Sequence, residues 1–285
     1  MTGRIDCAAP SPLTGGGTTT NTDADRTSRV AGRGRAALVE ALIVLVVLVV
    51  FSRLHAAAGV DAAASATANA EALQAFERAL NLDIELAANR WLVEHDLLIP
   101  LAVVVYRSYY AVILGVLVWV FVRHAGVYLH VRRTLVAMTL LALPVFWALP
   151  MSPPRFALPG VVDIIAAHDP IAGASSVDPD SGRNHYSAMP SLHVGWSAWC
   201  AYAVWLALRG SHPRLALLAW VFPLVMVADV FTTGNHYVLD VVGSALLLGV
   251  SIVAARLWAR LIRSRELRTD RGAARSRRRG AAPPG

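Results

Sequence analysis

In "TGNHYVLDVVGS", residues 233–244, His236 and Asp240 stand four apart. On a helix they share a face, and the carboxylate can accept a hydrogen bond from one ring nitrogen. That contact fixes the tautomer and leaves the other nitrogen as a nucleophile. Any His and Asp at a helix start would share this spacing, but a carboxylate one turn into a membrane helix is expensive and marks a site by default. In "AMPSLHVGW", residues 188–196, Pro190 suits a first helical turn whose free amides can hold an anion, and Ser191 can add a hydroxyl. His193 then sits about one turn inside, placed to give a proton to a leaving oxygen or take one from an attacking alcohol. A capped helix with an interfacial histidine fits the same letters.

In "PMSPPRF", residues 150–156, Arg155 follows two prolines that hold the backbone extended. Its guanidinium matches phosphate oxygens as a bidentate fork, although a lone arginine also serves as a headgroup anchor. Arg107, in "VYRSYYAV", is a charge some way into an apolar stretch, facing a polar pocket or snorkelling to the surface. Together these residues supply a nucleophile with its orienter, an acid/base and donors for equatorial oxygens, which is the equipment of phosphoryl transfer. Two other classes use the same residues. His193, His236 and Asp240 could be the ligands of a metal-dependent membrane hydrolase, or the polar motifs could line the lipid path of a non-catalytic transporter or scaffold.

The elements that carry these motifs are membrane helices. The chain has 285 residues, 56% of them hydrophobic, with a mean hydropathy of +0.51, which excludes an ordinary soluble domain. Apolar runs of roughly 17 to 25 residues fall near 36–53, 98–122, 134–150, 192–208, 215–231 and 237–255, which predicts an all-α, six-helix bundle. Arginines collect before the first run, after the second (Arg123, Arg132, Arg133), after the fourth (Arg209, Arg214) and after the sixth. By the positive-inside rule both termini are cytoplasmic, and the connections 54–97, 151–191 and 232–236 face outward. The three motifs then lie on one membrane face. Small residues after the first run resemble a signal-cleavage site, but its long polar leader favours a retained anchor.

Residues 1–35 read as a disordered cytoplasmic tail, 36–262 as the membrane domain and 263–285 as a disordered Arg-rich tail that could meet anionic lipid or act as a topogenic signal. Within 54–97, Leu73, Phe76 and Leu80 recur at helical spacing with charges opposite. This predicts an amphipathic segment lying on the outer interface or packed on the bundle as a lid. All 26 basic residues are Arg, and Cys7 and Cys200 make no disulfide framework.

"PPR", "MPSLH" and "NHY" with a following Asp, in this order, resemble the motif set of the type-2 phosphatidic acid phosphatase superfamily. That superfamily includes lipid phosphate phosphatases and is related to vanadium haloperoxidases. The resemblance covers about residues 70 to 255 and is nearest to the inositol phosphorylceramide synthase-like branch. It implies a six-helix enzyme of the cell membrane that needs no cofactor or metal. Its partners would be membrane lipids and a lipid phosphate, with no nucleic acid. By analogy His236 becomes a phosphohistidine, Asp240 orients it, His193 is the acid/base, and Arg155 and Ser191 hold the phosphate. The chain departs from the phosphatase branch in two places. No lysine precedes Arg155, and Asp229 and Val230 stand where that branch has Ser-Arg. Arg107 is the candidate replacement cation.

Overall fold

A computed structural model describes residues 19–169 and 183–280, with side chains from 37 onward as far as 265. Residues 1–18 of the expected tail, part of the 151–191 connection and the last five residues lie outside the described residues. The chain divides into two units, residues 1–49 and 50–285. The first consists, among the described residues, of most of α1 (Thr19–Ala58), whose apolar stretch Ala37–Ala58 is long enough to cross a membrane.

The second unit is all-α. It contains α2 (Ala63–Ala79), α3 (Glu85–Val93), α4 (Ile99–Arg123), α5 (Ala125–Ala148), α6 (Pro154–Ala157), α7 (Ile164–His168), α8 (Leu192–Leu208), α9 (Pro213–Leu218), α10 (Val221–Thr232) and α11 (Val238–Gly280). Among the described residues, five segments are long and apolar enough to span: Ala37–Ala58, Asp96–Arg123, Ala125–Ala148, Pro213–Thr232 and Val238–Arg265. The expected fourth span, α8, is a shorter apolar helix of 17 residues. The expected third span begins earlier than hydropathy indicated, because His130, Arg132 and Arg133 lower the local hydropathy without breaking the helix. Helix α1 takes in residues 19–35 of the expected tail, and α11 runs on to Gly280.

Helix α8 is the hub, touching α4, α5, α10 and α11. Its small residues Gly195, Ser197, Ala201 and Ala203 are buried and let neighbouring backbones approach. A Cβ at Gly195 would lie 2.4 Å from Met138 Cε of α5. The Trp199 indole is wholly buried and donates to Val131 O at 3.0 Å, tying α8 to α5. Around the motif end, Tyr109, Val194, Met226 and Val230 join α4, α8 and α10 in one core, and Leu92, Ile99, Val103, Ile164 and Ile165 join α3, α4 and α7 in another.

The segment between the first two spans packs on this end of the bundle, with Leu73 against the core of Ala70, Met151, Ala188 and Tyr237. Phe76 and Leu80 are exposed, whereas Ala66, Ala70, Gln74 and Glu77 of α2 and Glu85 and Asn89 of α3 are buried. The cause is unmet backbone polarity in what lies beneath. Asn89 donates to Val162 O (3.0 Å) and Thr232 O (2.9 Å) and accepts from Val162 N (2.8 Å), bracing the end of α10 against the chain before α7. Asn69 donates to Pro150 O at 2.8 Å.

Asn89→Ala would remove three hydrogen bonds to part-buried backbone groups and should destabilise the protein by about 3 kcal/mol. Thr67→Ala, which removes only an exposed hydroxyl bonded to Ala63 O within α2, should change stability by less than about 0.5 kcal/mol. Thermal unfolding of the detergent-solubilised variants measures both, and equal effects would contradict the bracing role.

Candidate active site

Backbone hydrogen bonds stitch the three motifs together. After α5 the chain meets the approach to α8 in a short parallel bridge between Met151 and Ser187, with Met151 N donating to Tyr186 O (2.8 Å) and Ala188 N to Met151 O (3.2 Å). Arg155 N donates to Gly234 O (2.9 Å), and Ser191 N to Asp240 O (3.3 Å). Gly234 is required at its place: its φ is +74°, and a Cβ there would lie 2.6 Å from Val161 Cγ1.

His236 stands two residues before α11, outside the helix on which it was expected to share a face with Asp240, and Asp240 lies in that helix's first turn. His236 Nδ1 is 2.9 Å from Ala188 O and 3.2 Å from Asp240 Oδ2. Both neighbours accept only, so Nδ1 carries the proton and Nε2 keeps its lone pair. Asp240 Oδ2 is itself fixed by Tyr237 N at 2.9 Å. Burial, followed by the nearby Arg155 charge and opposed by the Ala188 carbonyl, pushes His236 down to about 3. The ring is therefore neutral across the physiological range, as a nitrogen nucleophile must be.

His193, in the first turn of α8, has its ring centroid 5.8 Å from that of His236. It is wedged between Tyr106, stacked at 4.3 Å, and Tyr109, edge-on at 4.6 Å. Ser191 is the α8 N-cap, accepting from Val194 N at 3.3 Å. Pro190 therefore precedes the cap and is not in the first helical turn as expected. The Ser191 residue is fully buried, and its own hydroxyl proton remains available to donate.

Arg155 also differs in backbone from expectation. Pro153 is extended, but Pro154 opens the single turn α6 that carries the arginine. Its Nη1 donates to Asn235 Oδ1 (2.5 Å), and its Nε lies 3.2 Å from Asp163 Oδ2. Asn235 Oδ1 also accepts from Tyr106 OH at 3.3 Å. The guanidinium is thus linked through one amide to the tyrosine that stacks on His193. Arg107 forms an ion pair with buried Asp169, and its guanidinium stands 5.9 Å from the Tyr106 ring. At position 229 a buried carboxylate replaces any base, with Oδ2 lacking a hydrogen-bond partner. Among the described residues, no three His, Cys, Asp or Glu side chains are grouped to hold a metal.

The structure therefore brings His193, His236, Asp240 and Arg155 to one place, puts Ser191 beneath them, and leaves Arg107 at the margin beside Tyr106. Reasoning from sequence missed Asn235, Tyr106 and Tyr109, and also two acids. Glu85 Oε1 accepts from Val238 N at 3.2 Å, and Glu77 Oε1 from Leu239 N at 2.7 Å. With Asp240 on Tyr237 N, three carboxylates take three consecutive amides at the start of α11. The signal was the stripe Ala66, Ala70 and Gln74, which continues at helical spacing into the acid Glu77.

Burial raises Glu77 to about 8, against the lowering effect of the Leu239 amide, and burial also pushes Glu85 up. A folded carboxyl that holds its proton more tightly than the unfolded one contributes stability that is full below its ordinary value near 4.5 and is lost as pH rises through about 8. Glu77→Gln keeps an acceptor for Leu239 N and removes this titration. Denaturation in detergent from pH 4 to 8 should find the wild type losing stability relative to Glu77→Gln as pH rises. Glu77→Ala should be weaker at every pH, by about 1 to 3 kcal/mol. A constant difference between wild type and Glu77→Gln would contradict the assignment.

The PAP2 superfamily model matches residues 71–254. No curated protein matches the chain, and no solved structure does. The matched span runs from α2 into α11 and takes in every motif described above, which is well over half of the chain. The chain belongs to the PAP2 superfamily, the type-2 phosphatidic acid phosphatases, as a membrane enzyme of the phosphatase or phosphotransferase type.

Proposed function

We propose that the protein cleaves the phosphate ester of a lipid through a phosphohistidine on His236, at the outer face of the cell membrane, in the manner of the inositol phosphorylceramide synthase-like branch. The observation that carries this reading is the fixed tautomer of His236. Nδ1 is committed to Ala188 O and Asp240, so Nε2 is the free nitrogen on a ring whose neighbours are His193 and Arg155.

In the first step His236 Nε2 attacks phosphorus. A P–N bond forms, the ester P–O bond breaks, and His193 gives its proton to the departing oxygen. Asp240 steadies the positive charge that the ring acquires. Arg155, the Ser191 hydroxyl and Arg107 hold the equatorial oxygens, where charge builds. In the second step water or an alcohol attacks the same phosphorus while His193 takes its proton. The P–N bond breaks and His236 is restored. Water as attacker gives hydrolysis, and a lipid or inositol-type hydroxyl gives transfer. The distribution of arginines between the spans supports cytoplasmic termini and an outward-facing site.

Phosphate release by the purified protein in detergent, assayed over a panel of lipid phosphates, tests the proposal. His236→Ala should fall by at least about 10³-fold and His193→Ala by about 10²-fold or more. EDTA should leave the rate unchanged. Arg107→Gln should weaken inhibition by inorganic phosphate about ten-fold and lower kcat as well. Full turnover by His236→Ala would end the proposal, and unchanged phosphate inhibition would remove Arg107 from the site.

A further inference from the structure

The opposite end of the bundle carries a second polar constellation that the reaction does not use. A cavity of about 410 Å³ lies there, lined by His130, Arg256, Ala259, Arg260, Arg263 and Ser264. The three arginines are spaced i, i+4 and i+7, so they share one face of α11. Helix α5 meets that face with His130, while Arg133 packs on another side of α11, its guanidinium carbon 5.7 Å from the Trp258 ring. His130 Nε2 is held 2.9 Å from Tyr202 OH of α8.

Among the described side chains, the segments that form this end, residues 123–135, 203–215 and 250–265, contain no Asp or Glu, and the next acid along α11 is Glu266. At the motif end, by contrast, Arg155 has Asp163 and Arg107 has Asp169. Orientation in the membrane needs only basic residues near the helix ends. It does not need three arginines on one face of α11 around a single cavity, where like charges a turn apart repel each other unless an anion lies between them. A guanidinium cluster of this kind suits phosphate oxygens.

Depth indicates the source of that anion. From Val238 to Arg256 is 18 residues of continuous helix, or about 27 Å, close to the roughly 30 Å of a hydrocarbon core. The cavity therefore sits at headgroup level in the leaflet opposite His236. We propose that the α5–α11 seam is a binding site for a phosphate-bearing anion, supplied by the headgroup of an anionic phospholipid in that leaflet.

The test uses the full chain in neutral detergent, with the thermal midpoint read during titration with phosphatidylglycerol, phosphatidylcholine or inorganic phosphate. Phosphatidylglycerol should raise the midpoint and phosphatidylcholine should not. In R256Q/R260Q/R263Q the phosphatidylglycerol needed for half the shift should rise by at least about 100-fold, at about five-fold per arginine. R260Q alone should show about five-fold, which keeps the test open should the triple variant fold poorly. Phosphate-ester cleavage in detergent should be unchanged in both variants. An equal response to inorganic phosphate, lost in the same variants, would keep the site and make free phosphate its ligand. Variants that respond to phosphatidylglycerol like the wild type, or a wild type that responds to none of the three, would overturn the proposal.

Discussion

The start of α11 sets the problem that this end of the molecule is built to solve. A helix N-terminus presents amides with no partner inside the helix, and here they emerge among buried residues with little water. Three carboxylates meet three successive amides: Asp240 takes Tyr237 N, Glu85 takes Val238 N and Glu77 takes Leu239 N. The helix dipole favours acids there, which offsets part of the cost of burying them. Two of the three come from α2 and α3, so the segment outside the spans is part of the site's frame. Gln74, donating to Tyr237 OH at 3.1 Å, extends the same contact.

Fixing that helix start also fixes the direction of the His236 ring. The ring's Nδ1 reaches Ala188 O on the approach to α8, and Ser191 N returns the connection to Asp240 O. Ser244 Oγ, one turn further along, lies 2.7 Å from both the Ser191 and the Asp240 carbonyls. Helices α8 and α11 are thus locked at the level of the two histidines, and the aromatic wedge of Tyr106 and Tyr109 sets the angle of His193. The arginines are balanced where they stand, Arg155 by Asp163 and Asn235, and Arg107 by Asp169. An incoming phosphate would share cations already held in place, which limits the reorganisation needed to bind it.

Much of this was legible in the letters. Apolar length marked the helices, and the i, i+4 rule paired His236 with Asp240. The alternation of arginines put three distant motifs on one face, which is why His193 and Arg155 could be joined to His236 without any contact in view. What was hidden is non-local. Asn235 gains its role only once Arg155 and Tyr106 reach it from other elements. The choice between an interfacial segment and a lid stayed open because Leu73, Phe76 and Leu80 suit either; in the fold Leu73 packs inward while Phe76 and Leu80 are exposed. Next to a bilayer large apolar residues can face outward, and a buried helix start calls acids inward. The starts of α6 and α8 moved by one or two residues relative to their prolines, a displacement that local propensity does not resolve.

The account stands or falls on a covalent bond to one nitrogen. Protein incubated with a lipid substrate labelled at phosphorus, quenched in alkali and digested, should yield a single labelled peptide containing His236. The label should survive base and be lost in mild acid, as a phosphoramidate does, and it should be absent from His236→Ala. Label on another residue, or rapid turnover with no label trapped on His236 at any quench time, would contradict it.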